Sequence, residues 1–83
     1  MDVFARSPQQ VGTTLRKIRR SQNLTQMALG ERAGLRQATV SNIENGDEAT
    51  RLATLCDVLA ALDLELVIRP RSKSASQSIG DIF

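Results

Sequence analysis

The chain has 83 residues, enough for one domain, with 11 basic and 9 acidic side chains and a net charge of +2. It contains no histidine and a single cysteine, Cys56, which excludes His/Cys zinc sites, histidine acid–base chemistry and an internal disulfide. Its only aromatics, Phe4 and Phe83, lie near the two ends, so the core is expected to be aliphatic and the fold all-α.

Ser7-Pro8-Gln9-Gln10 reads as a helix start, with Ser7 as cap, Pro8 at the first helical position and Gln10 completing a capping box. Val11, Leu15 and Ile18 follow at helical spacing, and the helix should end near Gln22-Asn23. Thr25 caps a second, short helix after Leu24, and Gly34 stops it. Gly30 sits inside that helix at a cost of about 1 kcal/mol relative to Ala, which predicts close approach of a crossing helix. A third helix begins at once, around Arg36 or Gln37, and runs to Glu44-Asn45-Gly46. Two short helices separated by about three residues with a glycine are a helix-turn-helix pattern.

A fourth helix is expected from Thr50, with Leu52, Leu55, Cys56, Leu59 and Leu62 on one stripe and Cys56 in the core. Residues 64–69 alternate and are rich in β-branched side chains, which predicts a strand that Pro70 ends. A lone strand leaves its ladder unpaired, so antiparallel pairing across a homodimer is expected through Leu64, Leu66, Val67 and Ile68. Leu64, Leu66 and Ile68 would face the helical bodies, with Glu65 and Arg69 outward. The expected organisation is a DNA-binding domain over residues 1–62, a dimerisation strand over 63–70 and a flexible tail over 71–83. The fold class is thus a four- to five-helix repressor-type domain with one short C-terminal strand.

Charge is unevenly distributed. Residues 1–46 carry a net +4, residues 47–68 a net −4 and the remainder +2. A basic front and an acidic back suit a protein with one face on phosphates, although ordinary solvated faces would give the same numbers. The third helix is more telling. With Val40 and Ile43 inward, its other face carries Ala38, Ser41, Asn42 and Asn45, with Gln37 on the flank. Small side chains let the backbone approach base edges, and Gln or Asn can pair bidentately with adenine. Arg36 can reach a phosphate or a guanine. Gln26, at the start of the second helix, stands where backbone N–H groups favour a phosphate, and Thr25, Arg20 and Asn45 complete the expected phosphate contacts.

These residues carry a resemblance. Leu24-Thr25-Gln26, Ala33-Gly34-Leu35 and the run from Gln37 to Gly46 are similar to the Cro and phage-repressor (xenobiotic response element) family of helix-turn-helix proteins. Ser7-Pro8, the run from Arg36 to Asn42, and Leu62-Asp63-Leu64-Glu65-Leu66 narrow the resemblance to the HipB antitoxins of HipA–HipB toxin–antitoxin pairs. The resemblance implies base contacts from Gln37, Ala38 and Ser41, with Arg36 and Gln26 in the contact set. It further implies a structural ion pair between Arg19 and Glu44, a dimer joined by a two-stranded β-lid, and a HipA-like serine/threonine kinase as partner. Ala28 and Gly30 depart from the family pattern, where an acidic residue and Ala are usual.

The expected function is therefore a DNA-binding repressor and antitoxin on a palindromic operator, with no enzymatic activity, metal or cofactor. A stand-alone phage-type repressor, the antitoxin of a different toxin, and an interaction module without DNA binding are the alternatives. No apolar run approaches the roughly 20 residues that span a membrane, and a cytoplasmic location is expected. The tail ends in Ile79-Gly80-Asp81-Ile82-Phe83, and Ile82 and Phe83 are candidates for docking on the partner, a frayed end or degradation signal being the other reading.

Overall fold

The computed structural model describes residues 3–71 and folds them into four helices, α1 (Pro8–Ser21), α2 (Gln26–Ala33), α3 (Gln37–Glu44) and α4 (Leu52–Ala61). Local chemistry sets the first two starts. The Ser7 hydroxyl accepts the Gln10 N–H at 3.1 Å, with Pro8 leading the helix, and the Thr25 hydroxyl accepts the Ala28 N–H at 3.0 Å. Gln10 does not close a capping box on Ser7. Its Oε1 accepts the Arg6 N–H at 2.6 Å instead, one residue further out. The fourth helix begins two residues later than Thr50, because residues 48 and 49 form a turn in which Asp47 Oδ1 accepts the Ala49 N–H at 3.0 Å.

All four helices end alike. A residue in the left-handed region follows each, at Asn23, Gly34, Gly46 and Asp63. The next N–H then reaches back five residues, from Leu24 to Arg19 (3.2 Å), Leu35 to Gly30 (2.8 Å), Asp47 to Asn42 (3.0 Å) and Leu64 to Leu59 (2.8 Å). This closure satisfies carbonyls that the helix leaves unpaired. In three of the four the reaching residue is leucine, and Leu24, Leu35 and Leu64 all pack against the core.

That core is Leu15, Leu29, Val40, Ile43, Val58 and Leu62, wrapped by Val11, Ile18, Leu55, Leu59 and Ala61. Each large aliphatic side chain buried there contributes roughly 1.5–3 kcal/mol. Glycine permits two close approaches. A Cβ on Gly12 would meet the Ile43 carbonyl and lie 2.6 Å from the Glu44 oxygen, so α1 rests directly on the end of α3. A Cβ on Gly30 would lie 2.7 Å from the Leu35 carbonyl. The close neighbour of Gly30 is thus the turn itself, not the body of a crossing helix.

One further expectation needs correction. The inward stripe of α4 is centred on Val58 and Leu62, which leaves Cys56 exposed rather than in the core, and Leu52 exposed with it. Residues 64–69 form no strand within the single chain. Leu64 packs inward, but Leu66, Val67 and Ile68 are exposed, Ile68 to 91%. Among the described residues no strand lies beside them to supply a ladder. Ile82 and Phe83 lie outside the described residues. Among the described residues no helix is long and apolar enough to cross a membrane, and no group of three or more His, Cys, Asp or Glu side chains could hold a metal.

Candidate nucleic-acid interface

The third helix divides cleanly around its axis. At about 100° per residue, Val40, Ile43 and Glu44 fall on one side, and all three are buried. Ala38, Asn42 and Asn45 fall on the other and are exposed, Ser41 is half-buried between the two sides, and Gln37 is exposed on the flank nearest Glu44. Since Glu44 is the only charged residue of α3 and is buried, the helix presents an uncharged polar surface made of short side chains. Around its C-terminal end, Asn42, Asn45, Gly46 and Asp47 line an open depression.

Basic residues flank this face in sequence. Arg36 is exposed at the N-cap of α3, where it makes no capping hydrogen bond. Arg16, Lys17 and Arg20 are exposed on α1. Thr25 is exposed immediately before α2, its hydroxyl oxygen already serving as the helix cap. Every residue expected to touch DNA from α3 is therefore solvent-accessible, along with Arg20 and Thr25.

Gln26 is different. It is half-buried, and its Nε2 donates to Glu44 Oε1 at 3.1 Å. Glu44 is the hub of a buried network. Arg19 Nε donates to its Oε2 at 2.6 Å and Arg19 Nη2 to its Oε1 at 3.0 Å. Arg19 Nη1 donates to the Leu24 carbonyl at 2.7 Å. Both side chains of the ion pair are under one-tenth exposed. Among the described residues no buried side-chain nitrogen or oxygen lacks a partner, as a buried charge pair requires if it is not to destabilise the fold.

Burial by itself would push the Glu44 carboxyl up. Hydrogen bonds from Arg19 and Gln26, with the charges of Arg19 and Arg16, outweigh burial and hold it below its ordinary value. The hydrogen bond to Glu44 raises Arg19, against the opposing effect of burial. The pair is ionised on both sides at neutral pH. It clamps the C-terminal end of α3 to α1 beneath the exposed face, so the orientation of the face is set from inside.

Sequence reasoning missed three contributors. Gly12 lets α1 approach α3 closely enough for the ion pair to form, and its signal was a glycine in a helix interior. The Leu24 carbonyl and the Gln26 amide complete the network, and nothing local in the sequence marks either of them.

Residues 15–68 match the helix-turn-helix family model HTH_3. The chain is 31% identical over 72 residues to Antitoxin HipB of Escherichia coli (strain K12), spanning 87% of this chain and 82% of that protein. It is 44% identical over 57 residues to y4dL, an uncharacterized HTH-type transcriptional regulator of Sinorhizobium fredii, spanning 69% of this chain but 29% of that protein. Among solved structures, a chain in a HipA–HipB–O2–O3 complex superposes with a TM-score of 0.76 at 31% identity, covering 82% of this chain and 96% of that one. A HipB–O4 20mer complex gives the same TM-score, identity and coverage.

Proposed function

The chain belongs to the helix-turn-helix family as a HipB-like regulator, and from that membership we propose that it is a sequence-specific DNA-binding repressor, gripping a palindromic operator as a homodimer and serving as antitoxin to a HipA-like serine/threonine kinase. The observation that carries the DNA reading is the uncharged, exposed face of α3 set on a buried ion pair. A face that was merely solvated would carry Lys and Glu, whereas short amides and hydroxyls suit the donor and acceptor pattern of the major groove. In this reading Arg36, Gln37, Ala38, Ser41 and Asn42 meet base edges, while Thr25, Gln26, Arg20 and Asn45 hold phosphates and fix the register.

Dimerisation proceeds through residues 64–69. The exposure of Leu66, Val67 and Ile68 in the single chain supports it, because an exposed apolar segment of strand-like pattern is stabilised by pairing with a second copy. Two half-sites about one helical turn apart, or a multiple of it, follow from a two-fold axis. The HipA-like partner is supported by the likeness to a chain of the HipA–HipB–O2–O3 complex and by the identity to Antitoxin HipB. The 44% identity to y4dL, an HTH-type transcriptional regulator, supports the regulator half of this reading, and a regulator without a kinase partner is the second reading.

The test begins with selection of preferred duplexes from a random-sequence pool by the full chain, followed by fluorescence anisotropy. Gln37→Ala should lose roughly 1–3 kcal/mol on the selected duplex and relax preference at one base pair. Arg20→Ala should weaken selected and random DNA alike and flatten the salt dependence. Equal loss on both duplexes for Gln37→Ala would remove it from the reading set. Co-purification with a kinase of the HipA type separates the two partner readings.

A further inference from the structure

The two helices of the motif form a hinged pair of arms. The second helix runs from Gln26 to Ala33, the chain turns, and α3 runs from Gln37 to Glu44. At one end the arms are joined by the turn, where the Leu35 N–H donates to the Gly30 carbonyl at 2.8 Å. At the other, the first residue of α2 meets the last residue of α3, with Gln26 Nε2 on Glu44 Oε1 at 3.1 Å. The free ends of the arms are thus closed by one strut, and the strut is anchored to α1 through Arg19.

We infer that Gln26 is a positioning residue, which through Glu44 sets the angle between α2 and α3 and so the pose of the α3 face on DNA. This rests on the DNA-binding reading above. Eight helical residues span roughly 12 Å, so a change of about 1 Å in the strut swings α3 by roughly 5° about the turn. Arg36, Gln37 and Ala38, beside the turn, hardly move, while Ser41 and Asn42 shift by roughly half an ångström, enough to carry a base-edge hydrogen bond out of its range of about 2.7–3.2 Å, and base-edge contacts are the ones that carry sequence preference. The side-chain amide is committed inward. What Gln26 offers a phosphate is its backbone N–H, which lies in the first turn of α2 and lacks an intrahelical partner. The charged groups acting on Glu44 are Arg19 and Arg16, both from α1.

Two variants of the full chain test this, Gln26→Ala and Gln26→Glu, by urea unfolding and by anisotropy on the selected and random duplexes. Loss of the donor in Gln26→Ala should lower the folding equilibrium constant about tenfold, the weight of one hydrogen bond to a charged group. It should also reduce the preference for the selected duplex more than the affinity for random DNA. Gln26→Glu places a second carboxylate against Glu44. Like charges raise a carboxyl pKa, so this variant should be destabilised at neutral pH and regain stability on acidification to about pH 5, where the wild type gains none.

A Gln26 that worked only as an outward phosphate contact gives the opposite pattern. Gln26→Ala would then fold as the wild type does and lose equally on both duplexes. Gln26→Glu, an exposed acid at a helix N-terminus, would be stabilised at neutral pH and weakened by acid. Either result overturns the inference. Gln26→Met, which keeps the side-chain length without the donor, serves if Gln26→Ala does not fold. Absence of any preferred duplex for the wild type refutes the DNA-binding reading and the recognition half of this inference with it, while the unfolding data judge the strut on their own.

Discussion

Replacing Gly12 with alanine sets helix propensity against packing, and the two give opposite signs. Inside α1, Ala is favoured over Gly by about 1 kcal/mol, so the sequence alone predicts a more stable protein. In the structure the added Cβ meets the Ile43 carbonyl and lies 2.6 Å from the Glu44 oxygen and 2.8 Å from its carbonyl carbon. All of these are backbone atoms at the end of α3, so none can rotate away. Relief requires α1 and α3 to separate by several tenths of an ångström. Overpacking of this kind costs typically 1–3 kcal/mol, and rigid backbone places it at the upper end. After the propensity gain the net loss should be about 2 kcal/mol, or roughly 8–16 °C in Tm for a domain of this size. Circular dichroism during urea and thermal unfolding measures it. Operator affinity should fall as well at temperatures where the variant is still folded, because the Arg19–Glu44 clamp spans the same seam. A Gly12→Ala protein as stable as the wild type, or more so, would refute the argument that α1 and α3 are in backbone contact.

The remaining predictions concern the clamp, the dimer and the tail. Glu44→Ala strands the Arg19 guanidinium and should cost about 3–5 kcal/mol, read by the same unfolding assay. Because the folded Glu44 carboxyl titrates below its ordinary value of 4.5, its contribution is fully present above that value and is lost as pH falls through the lowered one; an acid-unfolding curve of Glu44→Gln should lack that component. Val67→Pro removes a backbone donor from the expected pairing edge, so sedimentation at micromolar concentration should show more monomer than for the wild type, and an unchanged dimer would place the interface elsewhere. Deleting residues 72–83 should leave affinity for the selected duplex within a few-fold yet weaken binding to the proposed kinase partner, through loss of Ile82 and Phe83; unchanged calorimetric affinity for that kinase would place the proposed contact on the folded body.

Features of this protein that depend on neighbours in sequence are legible in the sequence itself. Ser7 and Thr25 cap their helices, and Gly34 ends α2 in the left-handed region, because capping is decided within three or four residues. The polar face of α3 is legible for the same reason, since Val40 and Ile43 fix its inward direction through the helical period alone. The Arg19–Glu44 pair follows from family resemblance, not from any local rule.

Distances between helices decided the rest. Gly12 becomes indispensable only when α1 lies on α3, and Gly30 only when the turn folds back over it. In α4 the expected stripe holds at Leu55, Leu59 and Leu62, but Val58 joins it while Leu52 and Cys56 are exposed, because the packing of α4 against α2 decides which of its apolar residues turn inward. Gln26 looks outward in sequence, as any polar residue at a helix start does, and turns inward because Glu44, eighteen residues away, arrives beside it with an oxygen to share. Residues 64–69 carry the alternation of a strand but form none in a single chain. Alternation specifies which side of a segment is apolar, whereas a ladder exists only where another backbone lies alongside.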